Sequence, residues 1–238
     1  MRLDGRANDQ LREVEIIPNI NKFAEGSALI KCGNTHVLCC ASVEDKTPPH
    51  VPMGEGWVTA EYSMLPRANR ERSRRDVSKL KLSPRSAEIQ RLVGRALRAC
   101  VDMKALGEHT ITIDCDVLQG DGGTRTASVT GGFVALALAC RKLMEEGKIE
   151  KMPLTGFVAA VSAGIVNDEA LLDLCYEEDS GAQVDLNCVM NDKGELIELQ
   201  GTGEGRAFTI EEQRALVELC RKGIFELHKM QKEIIGEL

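Results

Sequence analysis

Residues 118–132 read L-Q-G-D-G-G-T-R-T-A-S-V-T-G-G and connect two stretches with different hydrophobic periods. Before this stretch, residues 110–117 alternate apolar and polar side chains, which is typical of a half-buried strand. After it, the run V-A-L-A-L-A-C-R-K-L-M is typical of a buried helix. The order of strand, glycine-rich turn and helix predicts sheets covered by helices, in which this turn lies at a sheet edge.

The turn itself has the features of an anion site. The amides of Gly123, Thr124 and Arg125 would open the helix without internal acceptors, and the positive end of the helix dipole adds to them. Arg125 supplies a fork of donors that matches phosphate oxygens. The stretch does not match the nucleotide P-loop pattern, which requires a Lys. The alternative is a tight turn in which Arg125 pairs with Asp121 or Asp116.

A second helix start repeats this chemistry. Ser83 and Pro84 are typical of an N-cap followed by the first helical position, and the apolar residues after them follow helical spacing. Arg85 then lies in the first turn, where a cation is unfavourable against the dipole unless an anion joins it. Two such starts, each with an Arg, predict a grip on a small tetrahedral anion.

Two aspartates form the third candidate element. In residues 183–190 the apolar residues alternate with Asp185 and Asn187, so these two share the accessible side of a predicted strand. We expect Asp179 at the end of the preceding strand or its turn, within reach of Asp185 across a hairpin. Two facing carboxylates share a proton or hold a divalent cation. A solvated turn accounts for the neighbouring Glu177 and Glu178.

The charge of the chain is unevenly distributed. Its net charge is −7, yet residues 67–85, the basic segment, carry +6 and leave −13 for the rest. An exposed basic segment on an acidic body favours contact with RNA or DNA, whereas the alternative is a solvated loop. The candidate RNA-binding residues are Arg67, Arg70, Arg72, Arg74 and Arg75. Eight aromatic residues are too few for a strip of base-stacking platforms, so we expect contacts mainly to phosphates and sugars.

The remaining pattern predicts an α+β or α/β fold. Strands are predicted at residues 14–17, 26–31, 35–43, 57–65, 157–166, 170–175, 183–190 and 195–200, and a closing helix at 209–235. We expect a single domain over residues 1–238. The glycine-rich residues 201–206 are interpreted as a plain strand–helix loop. The nine cysteines form no C-x-x-C pair and favour reduced core residues in a cytoplasmic protein, and no apolar run is expected to reach the length needed to span a bilayer.

Long motifs in the same order resemble the bacterial ribonuclease PH family. The likeness extends from M-R-L-D-G-R through E-G-S-A-L-I-K-C-G-N-T-H-V-L-C, G-W-V-T-A-E-Y-S-M-L-P-R-A and D-C-D-V-L-Q-G-D-G-G-T-R-T-A-S-V-T-G to I-E-L-Q-G-T-G-E-G. The resemblance implies an α+β fold of the ribosomal protein S5 domain 2 type, with mixed sheets covered by helices. It also implies a phosphate-dependent 3′→5′ exoribonuclease that trims tRNA precursors, adds nucleotides in reverse, and forms a ring of six subunits.

The resemblance also assigns roles. It implies that inorganic phosphate, the co-substrate, contacts Arg85, Gly123, Thr124 and Arg125. Asp179 and Asp185 are implied to be catalytic and to hold Mg²⁺ or a similar cation, and the five arginines named above to grip the tRNA. Pro84 and Ser86 depart from the Gly and Thr usual in the family, and we expect altered loop stiffness with phosphate binding retained.

Two alternatives are open. One is a catalytically silent RNA-binding ring subunit of an exosome-like assembly, which would be expected to lack the phosphate arginines or the acid pair. The other is a small-molecule kinase, whose glycine-rich serine motif is not found in the sequence.

Overall fold

The computed structural model describes residue 2, residues 4–75, residue 78 and residues 81–238. Within these ranges the chain forms two β-sheets and five helices. The helices are α1 (Pro84–Arg98), α2 (Met103–Leu106), α3 (Thr124–Glu145), α4 (Tyr176–Ser180) and α5 (Ile210–Ile235). Lys79 and Asp76, which belong to the basic segment, lie outside the described residues.

The first sheet has five strands in the order β1-β2-β3-β5-β4. The strands are β1 (Val14–Pro18), β2 (Gly26–Cys32), β3 (Thr35–Glu44), β4 (Trp57–Met64) and β5 (Thr110–Gln119). The predicted hairpin at Gly33 and Asn34 is confirmed, because β2 and β3 pair antiparallel around it. β4 runs parallel to β5, so this sheet is mixed. The alternation predicted for β5 is also confirmed, because Ile111, Ile113, Cys115 and Val117 are buried.

The second sheet has four antiparallel strands in the order β7-β6-β8-β9. The strands are β6 (Val158–Val166), β7 (Glu169–Leu172), β8 (Val184–Asn191) and β9 (Leu196–Gly203). The predicted hairpin between the strands at 170–175 and 183–190 is wrong, because β6 lies between β7 and β8 and pairs with both. The chain from β7 to β8 therefore crosses the end of β6, and its five-residue helix α4 occupies that crossing.

Helix α3 is the central element and packs against strands of both sheets. The Thr130 hydroxyl on α3 accepts a hydrogen bond from the Ala160 amide of β6 at 3.1 Å. Gln231 of α5 donates to the carbonyls of Thr130 and Val158, which ties α5 to the same place. By length and composition α3 could cross a bilayer, so the expectation that no stretch meets this criterion is wrong. However, 78% of the most apolar stretch of α3 is buried inside the fold. Packing of the helix between the two sheets therefore accounts for its apolar composition.

All nine cysteines lie in the described part of the chain and are free thiols. Seven are buried, and Cys40 and Cys175 are partly buried. Burial raises the pKa of Cys32 and of Cys140 to about 12, so these thiols remain protonated and pack as small apolar side chains. The α+β class is confirmed by this architecture of one mixed and one antiparallel sheet around α3.

Candidate active site

A cleft of about 370 Å³ lies where the first turns of α1 and α3 meet α4 and β8. We call it the arginine cleft. The six residues predicted to bind phosphate or to form the acid pair all line it: Arg85, Gly123, Thr124, Arg125, Asp179 and Asp185. The sequence placed these residues on separate elements, and the fold brings them together around one cavity.

The start of α3 presents backbone donors to the cleft. Gly123 is the N-cap in a left-handed conformation with φ +65°, and no side chain caps the helix there. Gly122 also has a positive φ of +75°, and a Cβ at this position would lie 2.6 Å from the carbonyl oxygen of Leu174. Both glycines are therefore required by the backbone, and the uncapped amides that follow are free to face an anion.

Arg125 is the second residue of α3 and is held by neighbours that lie far away in sequence. Its Nη1 atom donates to Gln200 Oε1 at 2.9 Å and to Glu88 Oε1 at 3.2 Å. The alternative that Arg125 pairs with Asp121 or Asp116 is wrong, because the Asp121 carboxylate instead accepts from the Tyr176 amide. Glu88 and Gln200 orient the guanidinium at the cleft, and no sequence pattern had identified them.

The start of α1 has the predicted cap. The Ser83 hydroxyl accepts from the Ser86 amide at 3.0 Å, and Pro84 occupies the first turn. Arg85 is then the second helical residue, in a first turn without an acidic side chain. Both cleft arginines therefore hold the same position in their helices, beside two positive dipole ends. The hydroxyls of Tyr62 and Thr124 lie 2.8 Å apart and connect β4 to the start of α3.

The acid pair lines the same cleft from α4 and β8. Asp185 is on the accessible side of β8, as predicted, and burial together with the charge of Asp179 raises the pKa of Asp185 to about 6. Burial also raises the pKa of Asp179, although the charges of Arg85 and Arg125 oppose that shift. Asp179 lies in α4, so its predicted position at a strand end in a hairpin is wrong. The short helix was missed because five residues are too few for a periodic signal.

The acid pair fits a divalent cation. Asp185 Oδ2 accepts from Asn187 at 3.2 Å, whereas the buried Oδ1 atom has no hydrogen-bond partner among the described residues. A buried carboxylate oxygen without a donor favours either a bound cation or a proton. Within the described ranges, no group of three or more His, Cys, Asp or Glu is placed to hold a metal. A cation here would resemble magnesium sites, in which one or two carboxylates act together with substrate oxygens.

A buried ion pair fixes α4 in place. Arg2 donates from Nε and Nη2 to the two carboxylate oxygens of Glu178 at 2.8 and 2.7 Å, and its Nη1 donates to the Leu172 carbonyl. The partners outweigh burial and hold the pKa of Glu178 below its ordinary value. Because Glu178 and Asp179 are neighbours in α4, this pair anchors the helix that carries Asp179. The sequence contains no signal for it, since the partners are 176 residues apart.

The five arginines of the basic segment that were predicted to bind RNA are all exposed. Residues 65–75 form neither helix nor strand, which agrees with the predicted loop. Arg70 pairs with Glu177 of α4 at 2.7 Å, and Arg67 donates to the Arg70 carbonyl. Arg74 lines a small cleft of about 160 Å³ that also includes Arg85. The segment therefore adjoins the arginine cleft, and Arg72 and Arg75 are exposed beside it.

The glycine-rich residues 201–206 differ in part from the plain loop that was predicted. β9 continues to Gly203, and Glu204 lines the arginine cleft. Asn187, predicted to share the accessible side of its strand with Asp185, also lines the cleft. The lining residues without a prediction of their own are Ser180 and Ala182.

Comparison with known proteins identifies the family. A sequence model of the 3′ exoribonuclease family, domain 1, matches residues 10–142, and that of domain 2 of the same family matches residues 156–223. The chain is also similar to a crystal structure of rice (Oryza sativa) Rrp46, with TM-score 0.77 and 18% identity over 98% of both chains.

Two archaeal structures have the same fold. The exosome of Archaeoglobus fulgidus with RNA bound to its active site matches with TM-score 0.79 and 24% identity, over 96% of this chain and 92% of that one. An archaeal exosome core matches with TM-score 0.76 and 23% identity, over 98% and 90%. These likenesses confirm the ribonuclease PH type of fold that the sequence motifs implied.

Proposed function

The chain belongs to the 3′ exoribonuclease family, and from this premise we propose that it is a phosphate-dependent 3′→5′ exoribonuclease of the bacterial ribonuclease PH type. It removes nucleotides from the 3′ ends of tRNA precursors and releases nucleoside 5′-diphosphates. The reaction also runs backward when diphosphates are abundant, because a phosphoanhydride replaces a phosphodiester.

The observation that carries this proposal is the composition of the arginine cleft. Arg85 and Arg125, each the second residue of a helix, lie in one cleft with uncapped amides at the start of α3. These groups are a binding site for free orthophosphate. The acid pair lines the same cleft, so the phosphate and the reacting end of the RNA meet beside these two carboxylates.

The bonds and protons balance without a protein nucleophile. An oxygen of orthophosphate attacks the phosphorus of the terminal phosphodiester, and the bond from that phosphorus to the 3′ oxygen of the preceding nucleotide breaks. Orthophosphate gives up one proton as its oxygen forms the new phosphoanhydride bond, the 3′ oxygen gains one proton, and the removed nucleotide leaves as its diphosphate. Arg85, Arg125 and the α3 amides hold the attacking phosphate in line, which is the main catalytic contribution available to the protein.

The acid pair contributes in one of two ways. Bound at Asp179 and Asp185, a divalent cation, for which we propose magnesium, supplies electrostatic stabilisation of the developing negative charge. Alternatively Asp185, whose pKa is raised to about 6, donates the proton to the 3′ oxygen. The pH dependence distinguishes the two, as described in the Discussion.

The assignment to the bacterial type of enzyme, with tRNA as its substrate, has separate support. The run G-W-V-T-A-E-Y-S-M-L-P-R-A resembles the bacterial enzyme, and the exposed arginines beside the cleft suit the body of a tRNA. On this basis we propose a cytoplasmic homohexamer, a trimer of dimers, built from one domain per chain over residues 1–238. Packing of α3 against both sheets supports the single domain.

A second candidate is a non-catalytic RNA-binding subunit of an exosome-like ring. The similarity of the fold to rice Rrp46 and to archaeal exosome subunits favours it. A silent subunit has no need of a complete phosphate site, whereas this chain retains both cleft arginines and both aspartates. We therefore place the enzyme first.

The test uses a tRNA that carries extra 3′ nucleotides, incubated with the protein in the presence and absence of phosphate. The enzyme shortens the RNA only with phosphate and releases nucleoside diphosphates. RNA binding without shortening under either condition supports the silent subunit. Asp185→Asn is the matched control, because it removes one carboxylate charge with little change in shape and is expected to leave the assembly intact without turnover.

A further inference from the structure

Tyr176 is an exposed aromatic residue at the start of α4, with 52% of its surface accessible. The three acidic residues that follow it are each committed elsewhere: Glu177 pairs with Arg70, Glu178 with Arg2, and Asp179 lines the arginine cleft. These contacts fix α4 on several sides. The ring of Tyr176 is therefore held at the surface by a well-anchored helix, three residues before a member of the acid pair.

A groove of about 430 Å³ lies between this ring and the basic segment. Its lining residues are Asn69, Arg70, Glu71, Gly120, Asp121 and Tyr176, and we call it the Tyr176 groove. The Tyr176 amide donates to Asp121 Oδ1 at 3.3 Å, so the start of α4 is attached to the groove floor. Arg70 is held by Glu177, the residue after Tyr176, at 2.7 Å. The groove is thus lined by an aromatic ring and a guanidinium, together with the carboxylates of Glu71 and Asp121.

The Tyr176 groove continues into the arginine cleft. Between them lies the small cleft of about 160 Å³ that contains Arg74. This small cleft shares Asn69 with the Tyr176 groove and Arg85 with the arginine cleft. A chain of shared residues therefore connects the ring of Tyr176 to the site where the terminal phosphodiester would react, and arginines occur along it.

A polar track with cations and one flat ring suits single-stranded nucleic acid. Proteins bind unpaired strands by contacting phosphates with Lys and Arg and by stacking bases on aromatic side chains. We propose that Tyr176 is a stacking platform for one nucleobase in the 3′ segment of the RNA, with Arg70 beside the backbone of the same segment. The inference rests on the proposed function and adds a base-binding subsite to it. Every base has a π-face, so this subsite holds the strand without reading its sequence.

The test measures the dissociation constant of a single-stranded RNA without phosphate, so that the strand remains intact. Tyr176→Ala and Tyr176→Leu are expected to weaken binding about tenfold, because neither side chain can stack on a base, whereas Tyr176→Phe binds as the wild type does. Phe23→Ala is the control, since Phe23 is 82% exposed on the β1–β2 connection. Unchanged affinity for both the Ala and Leu variants overturns the proposal.

A second experiment locates the nucleobase that stacks on Tyr176. RNAs with one abasic nucleotide at successive positions from the 3′ end are titrated against the wild type and Tyr176→Leu. At one position the abasic change weakens wild-type binding and leaves that of Tyr176→Leu unaltered. If the abasic change and Tyr176→Leu lower the RNA affinity additively at every position, the proposal is overturned. It is also overturned if Tyr176→Ala changes the particle size, because Tyr176 would then be a contact between copies of the chain. Coupling at one position supports it even if the wild type releases no diphosphate, in which case only the proposed function fails.

Discussion

Arg12 grips both carboxylate oxygens of Asp173, from Nη2 to Oδ1 at 2.7 Å and from Nε to Oδ2 at 3.1 Å. Only 5% and 6% of the two side chains are exposed. Arg12 Nη1 also donates to the carbonyl of Asp121 at 2.6 Å, immediately before the two glycines that open α3. Because Asp173 immediately precedes the segment leading into α4, one guanidinium connects the turn before α3 to the segment that leads to the helix of Asp179.

Removing one partner of this pair should destabilise the protein strongly. Asp173→Asn leaves a buried Arg12 without its counter-ion, and we expect a loss of about 3–5 kcal/mol in the free energy of unfolding at pH 7. Burial opposes ionisation of Asp173, but Arg12 outweighs it and keeps the pKa of Asp173 below its ordinary value. A group of this kind stabilises the fold above the unfolded pKa, near 4, and loses that contribution as the pH falls through the lower folded pKa.

Denaturant unfolding at several pH values checks this expectation. The difference between wild type and Asp173→Asn should be full above about pH 4 and should shrink below it. The control is Asp9→Asn, which removes the exposed pair with Lys222 and should change the free energy of unfolding much less, because water screens an exposed pair. If both variants lowered the free energy of unfolding by the same amount, the buried pair of Arg12 and Asp173 would not be supporting the site.

Asp185 should make stability depend on pH in the opposite direction. Its folded pKa is about 6, because burial and Asp179 disfavour the charged form, whereas the unfolded value is near 4. The folded chain therefore holds a proton that the unfolded chain releases. Without divalent cations, the stability of the wild type should decrease between about pH 4 and pH 6, and Asp185→Asn should lack that component.

The same variant reports on the cation. Above pH 6, magnesium should raise the melting temperature of the wild type and leave that of Asp185→Asn unchanged, because binding to the folded state alone stabilises it. Turnover that rises through about pH 6 indicates that ionised Asp185 holds the cation, and turnover that falls indicates that it donates the proton. Magnesium stabilisation of equal size in both proteins would remove Asp185 from the cation site.

Arg125→Ala should separate phosphate binding from RNA binding. The variant loses charge-assisted hydrogen bonds to phosphate, so we expect the KM for phosphate to rise and kcat/KM to fall about 100-fold. RNA affinity measured without phosphate should remain within about twofold, a difference of roughly 0.4 kcal/mol. Arg91→Ala, an exposed change on α1, is the control. A parallel loss of RNA affinity would contradict this division of roles.

The basic segment should act through charge alone. In Arg72→Gln combined with Arg74→Gln, the slope of log affinity for RNA against log salt concentration should fall by about 0.7 for each phosphate that the variant no longer neutralises. Arg221→Gln, which removes an exposed arginine of α5, should leave the slope unchanged. The slope is obtained from titrations over a series of salt concentrations. A slope that the double variant does not alter would place the RNA elsewhere.

Local patterns were sufficient for most elements of the fold. Ser83 and Pro84 predicted the start of α1, and the period-two run predicted β5, because caps and alternation depend on neighbours in sequence. The same alternation placed Asp185 on the accessible side of β8. The two helix starts and this alternation also identified the six cleft residues, the family motifs implied their roles, and the fold brings them together.

The features that the sequence did not predict depend mainly on contacts between residues far apart in the chain. The crossing of β6 between β7 and β8 is a property of sheet order, so no pattern in residues 170–190 could predict it. The contacts of Arg125 with Glu88 and Gln200 span 37 and 75 residues, and an Arg next to two nearer aspartates suggested the wrong pair. Helix α4 is too short for a periodic signal, although it carries Asp179.

The most direct test of the central claim is a crystal structure of the protein with orthophosphate at saturating concentration. We predict one phosphate in the arginine cleft, within hydrogen-bonding distance of both Arg85 and Arg125 and of the amides that open α3. A cleft that remains empty while the same preparation degrades RNA with phosphate, or a phosphate bound away from both arginines, would contradict it.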